Sequence, residues 1–276
     1  MLLRKIIQIF LLLALLSVSL TAQTRSNASA QIVFDSYSLE INRTILIGIL
    51  IELENDWHIY WRNPGDSGMP TSIDFDLPDG FTISEIKWPA PKAFEYDGLA
   101  SYGYEKQVLL LADLSVPENY NLNPIKITAN LKSLICKDVC IPFNTTVSTV
   151  IDLANNFMVE DQIIRLFIDA RNNLPEVKHN IDFSVKVDDE LITCIIQNPE
   201  INPAEIESLY FLPYDNGIFK NSIDQKFIQN ENKTELTVEF DHFRIEEPKE
   251  IYGLLIYVFG NLDKSKKVYE IKQLIN

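Results

Sequence analysis

From residue 31 onward the chain is a succession of short apolar runs. "TSIDFDL" alternates hydrophobic and polar positions, "TILIGILIEL", "QVLLLADLSV" and "IKITANLKSLIC" are apolar runs of strand length, and turn signals such as "PDG" stand between them. Alternation with period two predicts strands, half buried, that pair into sheets. The period changes once. In "FMVEDQIIRLFIDARNN" the residues Phe157, Ile163, Ile164, Phe167 and Ile168 stand near helical spacing with charges between them, and Leu174-Pro175 closes the segment, which predicts a helix. Strand patterns then return in "IDFSVKVDD", "ELITCIIQN", "KTELTVEFDHF", "EIYGLLIYVFG" and "KKVYEIKQLI". Regularly spaced strands with one helical stretch predict an all-β protein built as two antiparallel β-sandwich domains, 31–153 and 178–276, joined by a short helical linker over 154–177.

The first residues follow another rule. "MLLRKIIQIFLLLALLSVSLTA" begins with Arg4 and Lys5, continues through a largely apolar run from Ile6 to Leu16 and ends in small residues at Ala22. This is the layout of a secretory signal peptide over 1–22. A retained anchor is the alternative, but the run is short for a span of ~20 residues. The later runs "ILIGILI" and "IYGLLIYVFG" are shorter still and contain glycine, so they read as buried strands. The mature protein is therefore expected to be exported and not membrane-spanning. The net charge of −15 includes Arg4 and Lys5 and no acid of the leader, so its removal leaves −17. Nucleic acid is thereby excluded as a partner, because phosphate binding needs clustered Lys and Arg.

The candidate chemistry lies in "LKSLICKDVCIPF", where Cys136 and Cys140 stand between two β-prone runs. Two residues flanking so tight a turn can meet the Cα separation of roughly 4.4 to 6.8 Å that a disulfide needs. As a staple the bond is poor, since the entropic gain from a cross-link grows with the loop it closes. Three readings stay open: a redox-active pair, a local structural disulfide, and a metal clip. A metal site wants three or four ligands, and His58, His179 and His242 show no ligand spacing among themselves. Met69 and His58 with the thiols make the copper alternative. Cys194, inside "LITCIIQN", reads as an inert core thiol. "RNPGDSGMP" reads as a loop whose Asp66 and Ser67 have no histidine at triad spacing. Trp57, Tyr60, Trp61 and Trp88 are ordinary core or rim aromatics by composition alone.

The surroundings of the pair are more specific than its spacing. "DWHIYWRNPGDSGMPTSIDF", then "IKWPAPKAFEYDGLASYGYEKQVLLLADL", then "CKDVCIP" resembles the periplasmic N-terminal domain of the thiol:disulfide interchange protein DsbD, especially the branch that contains ScsB. The likeness covers about residues 31–153 and continues more faintly through "SLYFLPYDNGIF" into the second β region. It implies immunoglobulin-like sandwiches and a periplasmic location. It also implies a component of a protein-disulfide reductase system, in which Cys136 and Cys140 pass electrons from a membrane-embedded donor to periplasmic thioredoxin-like proteins. No cofactor is implied. Full-length members carry a transmembrane conduit and a thioredoxin-like domain that this sequence lacks, so the resemblance implies a donor on a separate chain. It places a capping loop over the pair at "FEYDGLASYGY", with Tyr96 as the capping aromatic and Phe94 beside it. His58 and Tyr60 fall at active-site positions of the family. Two functions of other classes compete: a non-catalytic periplasmic binding or assembly protein on the same scaffold, and a copper-handling protein.

Exchange chemistry asks for a thiolate that attacks and a second cysteine that resolves the mixed disulfide. Lys137 favours a thiolate and Asp138 opposes it. Cys140 is expected to attack, because Cys136 ends a strand.

Overall fold

The computed structural model describes residues 27–275 apart from 36–42, 97, 122, 153, 155–158, 178–180, 189, 223, 231–232, 245–246 and 261–264. The expected signal peptide over 1–22, Phe157 and His179 lie outside the described residues. Ten strands come first: β1 (Ala28–Phe34), β2 (Thr44–Leu53), β3 (His58–Gly65), β4 (Ser72–Asp76), β5 (Thr82–Ile83), β6 (Lys92–Tyr96), β7 (Leu99–Glu105), β8 (Gln107–Ser115), β9 (Ile125–Cys136) and β10 (Cys140–Ile151). The helix α1 (Asp161–Asn172) follows. Eight strands close the order: β11 (Glu176–Val177), β12 (Asp182–Val187), β13 (Leu191–Gln197), β14 (Ile206–Pro213), β15 (Phe227–Asn230), β16 (Lys233–Glu239), β17 (Glu250–Phe259) and β18 (Lys266–Leu274). The all-β class expected from the alternation is what forms.

Four sheets result. Sheet I runs β1-β2-β8-β5 and sheet II runs β10-β9-β3-β7-β6 with β4 beside β9; sheet III runs β11-β18-β17-β14 and sheet IV β12-β13-β16-β15. Between sheets I and II lies a core of alternate residues, Ile45, Ile47, Ile49 and Ile51 from β2 against Ile127, Ala129, Leu131 and Ile135 from β9. The pleat sends every second side chain inward, which is why "IKITANLKSLIC" alternates along its length. Sheets III and IV enclose a second core around Ile192, Cys194, Leu236, Leu255 and Tyr269.

Strands β2, β8 and β17 escape alternation, and each is covered on both sides. The outer face of β2 and β8, with Leu50, Leu109 and Leu111, is roofed by Phe167 and Ala170 of α1. The helix is thus packed on sheet I. Its buried stripe is Phe167 and Ala170, with Ile163 and Leu166 partly covered, whereas Ile168, expected on the apolar face, is 47% exposed. Strand β17, "EIYGLLIYVF", turns Leu255 and Tyr257 into the second core while Leu254 and Ile256 join the first. An apolar strand buried on both faces needs no polar face, and β17 is apolar for that reason. Sheet III is therefore shared between the two halves, through Tyr210, Leu212 and Tyr214 as well. Among the described residues no helix is long and apolar enough to cross a membrane.

Candidate active site

The site is built on the outer face of sheet II at the end of β9. The register of the β9–β10 hairpin sets Cys140 directly opposite Cys136, and the neighbouring strand sets His58 opposite Cys136 and Glu105 opposite His58. Residues opposed in register share a face, so Cys140, Cys136, His58 and Glu105 form one row across four strands. Tyr60, two residues on from His58, points the same way.

Cys136 and Cys140 form a disulfide with Cα atoms 4.1 Å apart, and Lys137, Asp138 and Val139 make the turn between them. The two sulfurs differ in access. Cys136 is 2% exposed, while Cys140 is exposed, as are the three turn residues. Val139 stands 64% exposed at the tip. The Tyr60 hydroxyl donates to Cys136 Sγ at 3.1 Å and lies 3.7 Å from Cys140 Sγ. Burial raises the Tyr60 phenol above its ordinary value, opposed by a hydrogen bond from Ser67, so at neutral pH it stays a donor.

Aromatic packing fixes the rest. The His58 ring meets Tyr60 edge-on at 5.3 Å and stacks on Phe94 at 5.3 Å. Burial lowers the His58 pKa from its ordinary 6.5, with Glu105 pulling the other way, and the imidazole is neutral at pH 7. Phe94 lies on β6, the edge strand of sheet II, so "FEYDGLASYGY", expected as a capping loop, is a β-hairpin. Tyr96 pairs in register with Leu99, but its side chain lies outside the described residues. Lys137 is held by Asp56 at 2.9 Å. The hydrogen bond to Asp56 raises its pKa, and its charge is committed to that carboxylate.

Sequence reasoning missed what supports Tyr60. Thr71 Oγ1 donates to the Tyr60 carbonyl at 2.5 Å and meets Ser133 Oγ at 2.7 Å. At Gly68, with φ +103°, a Cβ would stand 2.3 Å from the Tyr60 ring; only glycine both takes this backbone shape and leaves room. The glycine in "GDSGMP" was the one signal, and it reads equally well as any turn. Asp66, assigned to a loop, accepts the Ala100 N–H at 2.8 Å and the Asn221 side-chain amide at 3.0 Å. Cys194 is fully buried in β13 and apart from the pair, and burial pushes its thiol up to about 12. Among the described residues no group of three or more His, Cys, Asp or Glu is placed to hold a metal ion.

Residues 29–152 match the family profile described as "Thiol:disulfide interchange protein DsbD, N-terminal". The crystal structure of the N-terminal periplasmic domain of ScsB from Proteus mirabilis has a similar fold, with a TM-score of 0.60 and 18% sequence identity over 90% of this chain and 92% of that one. No curated protein matches the chain.

Proposed function

Residues 29–152 belong to the family of N-terminal domains of the thiol:disulfide interchange protein DsbD, and on that premise we propose that the protein is a periplasmic electron relay acting through Cys136 and Cys140. The observation that carries this reading is the asymmetry of the disulfide: one sulfur is open to a partner, and the other is buried under a hydrogen-bond donor. A reduced donor, which we infer to be membrane-embedded, attacks Cys140 Sγ through its thiolate. The Cys136–Cys140 bond breaks, and Cys136 leaves as a thiolate that accepts the Tyr60 O–H. The donor's second thiolate then attacks its own sulfur in the mixed disulfide, expelling Cys140 and leaving the donor oxidised by two electrons. In the forward direction, the Cys140 thiolate attacks the disulfide of a thioredoxin-like acceptor, and Cys136 resolves the mixed disulfide, returning the pair to the oxidised state and the acceptor to a dithiol.

A donor to sulfur is worth more on a thiolate than on a disulfide, so Tyr60 favours the departure of Cys136. Val139 beside Cys140 offers an apolar contact to a partner. Phe94 and Tyr96, on the adjoining hairpin, are assigned the shielding of the pair from unwanted oxidants, and His58 the support of that shield. The short loop of the disulfide argues against a structural staple.

The test is equilibration in a defined redox buffer with a periplasmic thioredoxin-like protein. An exchange pair comes to equilibrium with that protein and titrates with it, followed by gel shift of alkylated thiols. A bond that stays oxidised throughout, while the thioredoxin-like protein titrates normally, sinks the relay reading.

A further inference from the structure

Residues 65–68 tie the surroundings of the disulfide to the second half of the chain. Toward the site, Gly68 closes on the Tyr60 ring and Ser67 Oγ meets Ser101 Oγ of β7 at 2.9 Å. Toward the β6–β7 hairpin, the Asp66 N–H donates to the Ala100 carbonyl at 2.7 Å and Asp66 Oδ2 accepts the Ala100 N–H at 2.8 Å. Toward the second half, Asp66 Oδ1 accepts from Asn221 Nδ2 at 3.0 Å. One carboxylate thus holds the hairpin by one oxygen and the loop after β14 by the other. Asn216 Nδ2 adds a bond to the Gly65 carbonyl at 3.0 Å, and Asn63 Nδ2 one to the Pro213 carbonyl at 2.8 Å.

The Asn221 side chain is buried, and its own carbonyl oxygen finds no hydrogen-bond partner among the described residues. Leaving a buried acceptor unsatisfied is costly, so what fixes the side chain is what its amide donates to: Asp66, and Asn216 Oδ1 at 3.3 Å. The hairpin it reaches through Asp66 has need of such a hold. Strand β7 is paired to β3, but β6 is an edge strand held on one side by β7 alone.

We propose that Asn221 and Asp66 are positioning residues for the redox pair, a clamp by which the second half of the chain holds the β6–β7 hairpin against His58 and holds residues 65–68 over Tyr60. The clamp rests on the relay reading only for its purpose, which is to keep the Cys136 sulfur under Tyr60 shielded until a partner docks. Releasing it loosens the hairpin and residues 65–68 over Tyr60 and exposes the Cys136 thiol, without any change at the cysteines themselves.

The experiment uses the full chain carrying Cys140→Ser, chemically reduced and then alkylated with a bulky maleimide, so that the adduct reads access to the buried Cys136. Asn221→Ala raises the alkylation rate about tenfold, the shift expected of an opening equilibrium that loses one hydrogen bond to a charged group. Asp66→Ala does the same, and the double variant is no faster than Asp66→Ala alone, because Asn221 acts through that carboxylate. Gln229→Ala, which removes the bond to the Ile206 carbonyl in the same half, lowers the melting temperature and leaves the rate unchanged. Asn221→Ala at the wild-type rate, or rates that multiply in the double variant, overturns the clamp. Should Asn221→Ala fail to fold, Asn216→Ala on the exposed side of the same loop takes its place; it raises the rate, and a wild-type rate there overturns the proposal equally. Alkylation reads thiol access whether or not the pair exchanges with any protein. A chain that fails in the redox buffer yet responds tenfold here loses the relay and keeps the clamp.

Discussion

Strands β9 and β13 both carry a cysteine within an apolar run, "SLIC" in one and "LITCIIQ" in the other, and the two sulfurs have opposite fates. Cys194 sits in mid-strand, flanked in register by Val185 and Leu236, on the face that fills the second core. Cys136 sits at the last position of its strand, on the face away from the first core, with Cys140 across the hairpin. Neither the residue type nor the hydropathy of the run separates them. A shift of one residue in register turns a strand side chain to the other face, and thiol chemistry follows access and surroundings. Burial holds Cys194 in the protonated, inert form; the hairpin end leaves Cys140 open and puts a phenol beside Cys136.

The contrast breaks most sharply at the pair itself. Cys140→Ser and Cys136→Ser each abolish exchange with a thioredoxin-like protein while the circular dichroism spectrum stays that of wild type, since one residue attacks and the other resolves. Full exchange by both variants would remove the pair from the mechanism. Cys194→Ser has the inverse profile. Exchange is retained, but a hydroxyl placed in the second core without a partner lowers the unfolding free energy by about 1 to 3 kcal/mol in denaturant melts.

Smaller changes sharpen the comparison within the site. Tyr60→Phe keeps the ring under Gly68 and removes the donor to Cys136. The reduced state loses more than the oxidised one, so the reduction potential becomes more negative by about 30 mV, corresponding to about 1.4 kcal/mol for a two-electron couple. Redox titration against glutathione reads the shift, and an unchanged or less negative potential removes Tyr60 from thiolate stabilisation. The least effect belongs to His58. Its folded pKa is lowered by burial, so as pH falls below about 6.5 the unfolded chain takes up a proton that the folded chain resists, and stability falls with it. Above that range both states hold the ring neutral and the contribution vanishes. His58→Gln flattens this part of the stability-versus-pH curve; equal slopes for the variant and wild type would leave the ring without a role in it.

Legibility divided along the reach of the interactions. Strands β2, β8, β9, β12, β13 and β16 were readable because alternation or an apolar run is a local record of which neighbours cover each face. The hairpin of β6 and β7 was not, because "YDG" looks like the middle of a loop when its flanks cannot be seen to pair; Phe94 on His58 is a contact between strands, not along one. The helix was readable as a helix, but its packing was not, since nothing in "DQIIRLFIDARN" tells that Phe167 shares a cluster with Leu109. Tyr60 was singled out only by family resemblance. Asp66 was passed over as a turn residue, because its partner Asn221 is 155 positions away.

The chain's own pattern carries the local part: period-two patterning that pairs into sheets, a helical stretch, and two cysteines close enough in the chain for a hairpin to bring them together. Which sulfur faces solvent, which phenol reaches the other, and which half of the chain holds the hairpin beside them were decided by tertiary structure. The reason is physical. A strand's faces are equivalent until sheet packing assigns one of them to a core, and hydrogen bonds such as Tyr60 to Cys136 and Asn221 to Asp66 depend on ladder registers and loop positions set jointly by segments that carry no local trace of one another.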